Sequence, residues 1–445
     1  MKAQDVYDFI GIGVGPFNLG LAALTEPLKE LQGIFFDQST SFDWHPGMMI
    51  EGTTLQIPFI ADLVTLADPT SPYSFLNYIK KEGRIYSFYI RENFLLLRNE
   101  YNKYCQWVIE QLSNIHFQSR VEQVHYNEEE QIYYVHVFNN KDAKTFIYKT
   151  KKIVLGTGTS PHIPKCCLND KKQIIHSSDY LNHKKRLQSK KSITIVGSGQ
   201  SAAEIFYDLL QDIDSNDYEL NWITRSDRYF PLEYTKLTLE MTSPEYVDYF
   251  HNLPAPKREH IVQHQKHLYK GINGDLINAI YDLLYTKKII KPGLKTHLQT
   301  HSELKEVNSS VFGEALELTF HQYEQNQHYG LQTEELILAT GYTYAMPSFV
   351  EGISDQIRWD DKGRFDVHRN YSIDHKNSEI FVQNVELHTH GFVTPDLGMA
   401  AYRNAYIIKE MTGIEYYPIE QQIAFQKFAV DTKDALSLKD LEYQV

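Results

Sequence analysis

Two glycine-rich turns are the parts of this chain best suited to chemistry. The first, Gly13-x-Gly15-Pro16-x-Asn18, follows an apolar run from Val6 to Ile12 and opens a helix. Glycine at 13 permits a tight turn, and glycine at 15 lets a pyrophosphate reach the backbone. The helix N-terminus then offers N–H donors and a partial positive charge. Asn18 stands where a third glycine is usual. Asp37 closes the next apolar run, where a carboxylate can accept both hydroxyls of an adenosine ribose. The second turn is Gly197-x-Gly199-x-x-Ala202, with Gln200 and Ser201 opening its helix. Its following strand ends in Thr224-Arg225-Ser226, with Arg228 beyond. An arginine at that strand end suits a 2′-phosphate and leaves a bare 2′-hydroxyl without its carboxylate. The first site therefore reads as FAD or NAD, and the second as NADPH. Two such sites in one chain point to hydride transfer from NADPH to a bound flavin.

The elements that must hold these turns follow from periodicity. Strands are expected over 6–12 and 34–36, with a helix from Asn18 through Leu28. A second βαβ opening has strands over 192–196 and 219–224 and a helix from Gln200 to Gln211. Two more apolar strands end in Thr-Gly: Ile153 to Gly158, and Leu336 to Tyr342, which carries Thr340 and Gly341. Such ends return the chain to the nucleotide sheets. The basic stretch 183–191 reads as a solvated connection. Residues 233–290 are helical, with Leu276, Ile280, Leu283 and Leu284 at helical spacing, Asp275 near the start and Lys287 and Lys288 near the end. A further strand is expected over 315–320, and a loose tail over 426–445. The fold class is α/β: two Rossmann-like dinucleotide-binding domains plus a smaller, mainly helical substrate-binding region. The expected division is 1–185 for the first part of the FAD domain, 186–329 for the NADPH domain with its helical segment at 233–290, and 330–445 for the rest of the FAD domain and the tail.

Composition excludes several classes. The chain has 445 residues and a net charge of −13, too acidic for nucleic acid to be its main partner. Its three cysteines, Cys105, Cys166 and Cys167, form no CxxC pair, so neither a zinc ribbon nor a dithiol redox centre is expected, and no metal site. Without a redox cysteine pair, a flavin disulfide reductase is disfavoured. Met1 to Asp5 leads straight into the first strand with no cleavable signal, and no apolar run could span a bilayer. A cytoplasmic, homo-oligomeric enzyme (dimer or tetramer) is expected.

Certain segments are more specific. They are Asp8 to Leu19, Trp44-His45-Pro46-Gly47-Met48, Asp62-Leu63-Val64-Thr65, Asp68 to Tyr78, Ala339 to Tyr342 and Thr389-His390-Gly391. With the two turns, they make the chain resemble, over nearly its whole length, the flavin-dependent N-hydroxylating monooxygenases of siderophore biosynthesis, which act on lysine, ornithine or diamines. The resemblance implies that NADPH reduces FAD, that dioxygen adds at flavin C4a, and that a neutral amine attacks the resulting hydroperoxide. It places Gln56 beside the reactive flavin face as the catalytic candidate, and Trp44 and His45 along the flavin.

One departure bears on substrate. Amino-acid-hydroxylating members carry a lysine for the substrate carboxylate in a Phe-(Leu/Ile)-Lys-Asp-Leu pattern. This chain reads Phe59-Ile60-Ala61-Asp62-Leu63. Burying an unpaired carboxylate costs several kcal/mol, roughly a 10³-fold loss or more. Two asparagines that contact ornithine in the family fall on Leu239 and Leu268. The expected substrate is therefore a primary amine without an α-carboxylate, putrescine or cadaverine, taken together with O2. Glu386 and Asp396 are candidates for the distal ammonium. L-lysine or L-ornithine is the alternative, should Lys236 or Lys270 replace the missing lysine. A non-catalytic nucleotide-binding sensor is the remaining one.

Overall fold

The computed structural model describes residues 6–168, 172–310 and 314–430. The chain builds two sheets, each opened by one of the glycine turns. In the first, strand β1 (Val6–Ile12) runs into helix α1 (Pro16–Thr25) and strand β2 (Gly33–Phe36). Pro16 suits the first helical turn, where a missing N–H costs nothing. The helix stops at Thr25, short of the expected Leu28, just before Pro27. β1 lies parallel between β2 and the end of a long strand, β3 (Lys144–Leu155). Antiparallel strands 119–127 and 132–139 extend the other end of β3, and Ile380–Val382 also pairs with it. Helices α1, 98–109 and 400–412 cover one face through a core that includes Leu21, Phe35, Tyr104 and Ile407.

The second sheet repeats the plan. Strand β4 (Ser192–Val196), helix α2 (Gln200–Asn216) and strand β5 (Glu219–Ile223) form its βαβ opening. α2 runs past the expected Gln211 because Ile213 continues its buried stripe, and it ends on Asp217 in a left-handed conformation. On α2 packs helix α3 (Gly274–Ile290), begun by an Asn273 cap that accepts from Leu276 N at 3.1 Å. Strand β6 (Glu335–Leu338) pairs with β4 on its other side and with Ile174–His176 beyond. An antiparallel sheet, with strands 302–309, 316–322 and 327–333, covers the face opposite α2. The two Thr-Gly strand ends do return to the nucleotide sheets, β3 to the first and β6 to the second.

Three expectations need correction. The second sheet takes in Ile174–His176 and β6, so it reaches beyond 186–329 at both ends. The basic stretch is no free connection: Tyr180–Gln188 is a helix of the second unit. Its Arg186 pairs with the buried Glu335 at 2.7 Å, and Lys184 with Asp208 at 2.8 Å. Segment 233–290 is not one body. Helices Pro244–His251 and Ala255–His264 pack against the first unit around Phe250, Phe392 and Met399, whereas α3 belongs to the second core. Of the expected tail, residues 426–430 are seen and 431–445 lie outside the described residues. Phe428 is anchored on Tyr246.

Candidate active site

Each glycine turn has the form its sequence demands. Gly13 has φ +87°, and a Cβ there would lie 2.4 Å from the Gly156 carbonyl oxygen, so only glycine fits. A Cβ on Gly15 would meet nothing, which leaves the α1 N-terminus open to a phosphate. Asp37 accepts from Val14 N at 2.7 Å and from Ser39 N at 2.8 Å, which fixes its carboxylate beside the turn. Asn18 explains the missing third glycine. It is fully buried, its Nδ2 donates to Gly13 O at 2.7 Å, and its Oδ1 accepts from Gln383 at 2.8 Å. It braces the turn from behind and does not face a ligand. These residues fit a dinucleotide.

The second turn is similar. A Cβ on Gly197 would lie 2.2 Å from Ala339 O, while one on Gly199 would meet only Lys270 O, at 3.6 Å. Ser201 is in the first turn of α2, and Arg225 stands exposed just past β5. This site also fits a dinucleotide. Thr340, Gly341 and Tyr342 follow β6. Tyr342–Thr343 pairs with Ser160–Pro161, so the residues beyond the two Thr-Gly ends meet.

The Trp44–Met48 segment lies where the two units touch. A Cβ on Gly47 would come within 2.0 Å of Ser178 O, so this glycine allows the close approach. Met48 and Ile50 join the core of the second unit. Trp44 packs edge-on against His45 and Tyr101, and His45 against Tyr342, with centroids 5.5 Å apart.

Gln56 stands on the strand Thr54–Pro58, and its Nε2 donates to Gln200 Oε1 at 3.2 Å. That oxygen also accepts from Asn273 N at 2.8 Å, and Gln200 Nε2 donates to Glu204 at 2.8 Å. Glu204 takes a bidentate bond from Arg98, both distances 2.7 Å. Burial of Glu204 raises its pKa, and Arg98 and Gln200 pull against that rise. Gln56 is thus held by an amide–carboxylate–guanidinium chain that crosses between units. Arg98 and Glu204 were not anticipated from sequence, because nothing local marks two residues so far apart as partners.

Beside Gln56 opens a cavity of about 330 Å³. Ile57, Pro58, Ala61, Leu66 and Met399 give it apolar walls, and Tyr234, Thr242 and Tyr402 supply hydroxyls. Of the candidate substrate residues, the structure brings Ala61, Leu239 and Asp396 to this lining. Leu268 is not in it: it packs around Tyr246 and Phe250. Glu386 is not in it either. It is fully buried and paired with Arg403 at 3.0 Å, an arginine on the helix 400–412 that sequence could not nominate. Neither Lys236 nor Lys270 lines the cavity; among the described residues its only charged ones are Asp396 and Glu420. Burial raises the pKa of Asp396, which Gly398 N (2.7 Å) and the more distant Arg403 partly offset. Glu420 was missed because it belongs to a C-terminal strap. That strap is hung by Ile423 N and Ala424 N on Glu245 (2.6 and 2.9 Å), and by Phe425 N and Gln426 N on Glu240 (3.1 Å each).

The Asp62-Leu63-Val64-Thr65 and Asp68–Tyr78 segments prove to be scaffold. Asp62 is buried and accepts from Val64 N, Thr65 N, Thr65 Oγ1 and Phe75 N at 2.6–2.9 Å, which shapes the loop behind Ala61.

Residues 5–344 match the model of the L-lysine 6-monooxygenase/L-ornithine 5-monooxygenase family. The chain belongs to this family. It is 54% identical over 426 residues to a putrescine N-hydroxylase of Shewanella oneidensis, covering 96% of this chain and 85% of that one. A putrescine N-hydroxylase of Acinetobacter baumannii is 50% identical, covering 98% and 97%. Among solved structures, the FAD-bound cadaverine monooxygenase of desferrioxamine biosynthesis from Erwinia amylovora superposes with a TM-score of 0.95 at 57% identity, covering 96% of this chain and all of the other. As a family member the chain is an oxidoreductase that uses FAD, NADPH and O2, and its two turns are compatible with two dinucleotides. Among the described residues no helix is long and apolar enough to cross a membrane, and no group of metal-ligating side chains gathers.

Proposed function

We propose that this enzyme N-hydroxylates one end of a short aliphatic diamine, putrescine or cadaverine, in the assembly of a hydroxamate siderophore. The single observation that carries the reading is the charge of the cavity: two carboxylates, Asp396 and Glu420, and no cation. An amino-acid carboxylate entering there would meet two acids and no cation to pair with. A diamine matches the site at both ends. Asp396, with Ala61 beside it, holds the distal ammonium, while the apolar wall of Ile57 and Pro58 favours the neutral form of the other amine, which is the form that can act as a nucleophile. The relatives named above carry the same substrates in their names.

In this reading the first sheet, opened by Gly13 and Gly15 with Asp37, takes FAD, and the second, opened by Gly197 and Gly199 with Arg225, takes NADPH. When bound, the flavin supplies the two-electron activation of dioxygen. The protein supplies position and dryness. Gln56, fixed through Gln200, directs its amide to the seam between the units, next in sequence to Ile57 of the cavity wall, and Trp44, His45 and Tyr342 wall the gap between the units. A homo-oligomer is supported by exposed apolar side chains on two surface helices, Tyr86, Tyr89 and Ile90 on one and Tyr281, Tyr285 and Ile289 on α3.

The test is hydroxylamine formation with putrescine, cadaverine, ornithine and lysine in parallel. Product from a diamine and almost none from the amino acids is expected. Turnover of lysine or ornithine would overturn the reading, and NADPH consumed to peroxide with all four would remove the substrate class altogether.

A further inference from the structure

Lys270 is the basic residue that sequence offered as a stand-in for the missing carboxylate-binding lysine, but the fold carries it elsewhere. Its carbonyl lies over Gly199, at the mouth of the second turn. The loop around it is stitched down at both ends: Lys270 N donates to Lys266 O at 2.8 Å, Leu232 N to Ile272 O at 2.7 Å, and Asn273 N to Gln200 at 2.8 Å. The Lys270 ammonium lies over the Tyr269 ring, 5.3 Å from its centroid, and the charges that act on it are Lys266 and Arg225, both of its own sign. None of the three forms an ion pair among the described residues, whereas the neighbouring Arg228 is spent on Asp227 at 2.7 Å. Glu303 also faces Arg225, but its carboxylate is already engaged by Lys305 and Tyr323. Three like charges that form no ion pair of their own repel one another, and an arrangement of that kind is stabilised by an anion.

We infer that Lys270, with Lys266 beside it, joins Arg225 in clasping the 2′-phosphate of NADPH, so that coenzyme preference rests on this loop as well as on the strand end. The inference needs NADPH at the second turn but not the diamine reading, which can fail without touching it. Arg225 comes from the end of β5, where the adenosine ribose of a Rossmann site lies. Lys270 comes from the loop that lies over Gly199, so the two would reach the phosphate from different elements. A carboxylate-bearing amine would gain nothing from Lys270, which removes it as a rescuer of lysine or ornithine binding.

The experiment is calorimetric titration of the FAD-loaded protein with 2′,5′-ADP and with 5′-ADP, which differ only in the phosphate at issue. Lys270→Met should weaken 2′,5′-ADP by roughly tenfold or more and leave 5′-ADP within about twofold, an effect that shrinks as salt is added. Lys270→Arg should restore most of the loss. Unchanged flavin absorbance and circular dichroism would show that the variants fold. If Lys270→Met binds 2′,5′-ADP like the parent, or loses both nucleotides equally, the assignment to the 2′-phosphate is wrong. Arg225→Met is the separate check: if it too leaves the ratio unchanged, the placement of NADPH itself fails.

Discussion

Asp396→Asn is the sharpest perturbation of the amine site. Asp396 accepts from Gly398 N at 2.7 Å, at the start of the turn Leu397–Met399. An asparagine carbonyl can keep that bond, so the change removes a charge and leaves the local backbone alone. A hydrogen bond between charged partners contributes about 1.5–3 kcal/mol, or roughly 10–150-fold. Because one side of the cavity is open to solvent, the lower part of that range applies, and kcat/KM for putrescine should fall about ten- to thirtyfold. Butylamine has the same reacting end and no second ammonium, so its kcat/KM should stay within about twofold of the parent value. Hydroxylamine formation measures both. Equal losses for the two amines would refute the reasoning, since they would place Asp396 in folding or at the reacting end. The carboxyl also sets a pH dependence. Burial raises its pKa above 3.8, so the KM for the diamine should rise as pH falls through that raised value. The sign for stability is opposite. A raised carboxyl pKa means that the folded state carries a cost at neutral pH which is relieved on acidification. Asp396→Asn without substrate should therefore melt no lower than the parent at pH 7, and scanning calorimetry checks this.

Ala61→Lys should abolish diamine turnover rather than create lysine activity. A Cβ built on Gly398 lies 3.1 Å from Asp396 Oδ1 and 3.9 Å from the Ala61 Cβ, so a lysine head at 61 would fall on that carboxylate and neutralise it. A KM for putrescine raised by less than about tenfold would contradict this. Glu204→Gln leaves the Arg98 guanidinium without its counter-charge across the two units. It should cost about 2–4 kcal/mol in urea unfolding and slow flavin reduction by NADPH, since Gln200 and Gln56 lose their anchor. Gly13→Ala, at φ +87° and 2.4 Å from Gly156 O, should purify with little flavin, as the flavin absorbance per protein will show.

What sequence revealed was whatever is written locally. Gly13, Gly15 and Asp37, and again Gly197, Gly199 and Arg225, sit within single βαβ units whose periodicity and spacing are read directly. Ala61 was visible as a departure from a motif. What escaped depends on distant partners. Glu386 and Asp396 look alike along the chain, yet one is consumed by Arg403 and the other faces the cavity. The lysines and arginine of 183–191 read as solvated until Glu335 and Asp208 arrive from elsewhere. Arg98, Glu204 and Glu420 acquire roles only once two units and a C-terminal strap are brought together.

The pairing of Ser160–Pro161 with Tyr342–Thr343 has a consequence for how such an enzyme can be altered. The chain leaves the first unit and finally returns to it through one seam, whose two edges are adjacent strands about 5 Å apart, and between the two it comes back once more, where helices Pro244–His251 and Ala255–His264 pack on the first unit. A transplanted coenzyme module would have to match that doorway, a socket for the Met48 and Ile50 plug, the Arg98–Glu204 pair and the Gln56–Gln200 bond. Ala61 and Asp396 would stay with the first unit, but Leu239 and the Glu240 and Glu245 anchors of the strap lie between the two edges of the seam, so electron source and amine choice are tied together through that stretch.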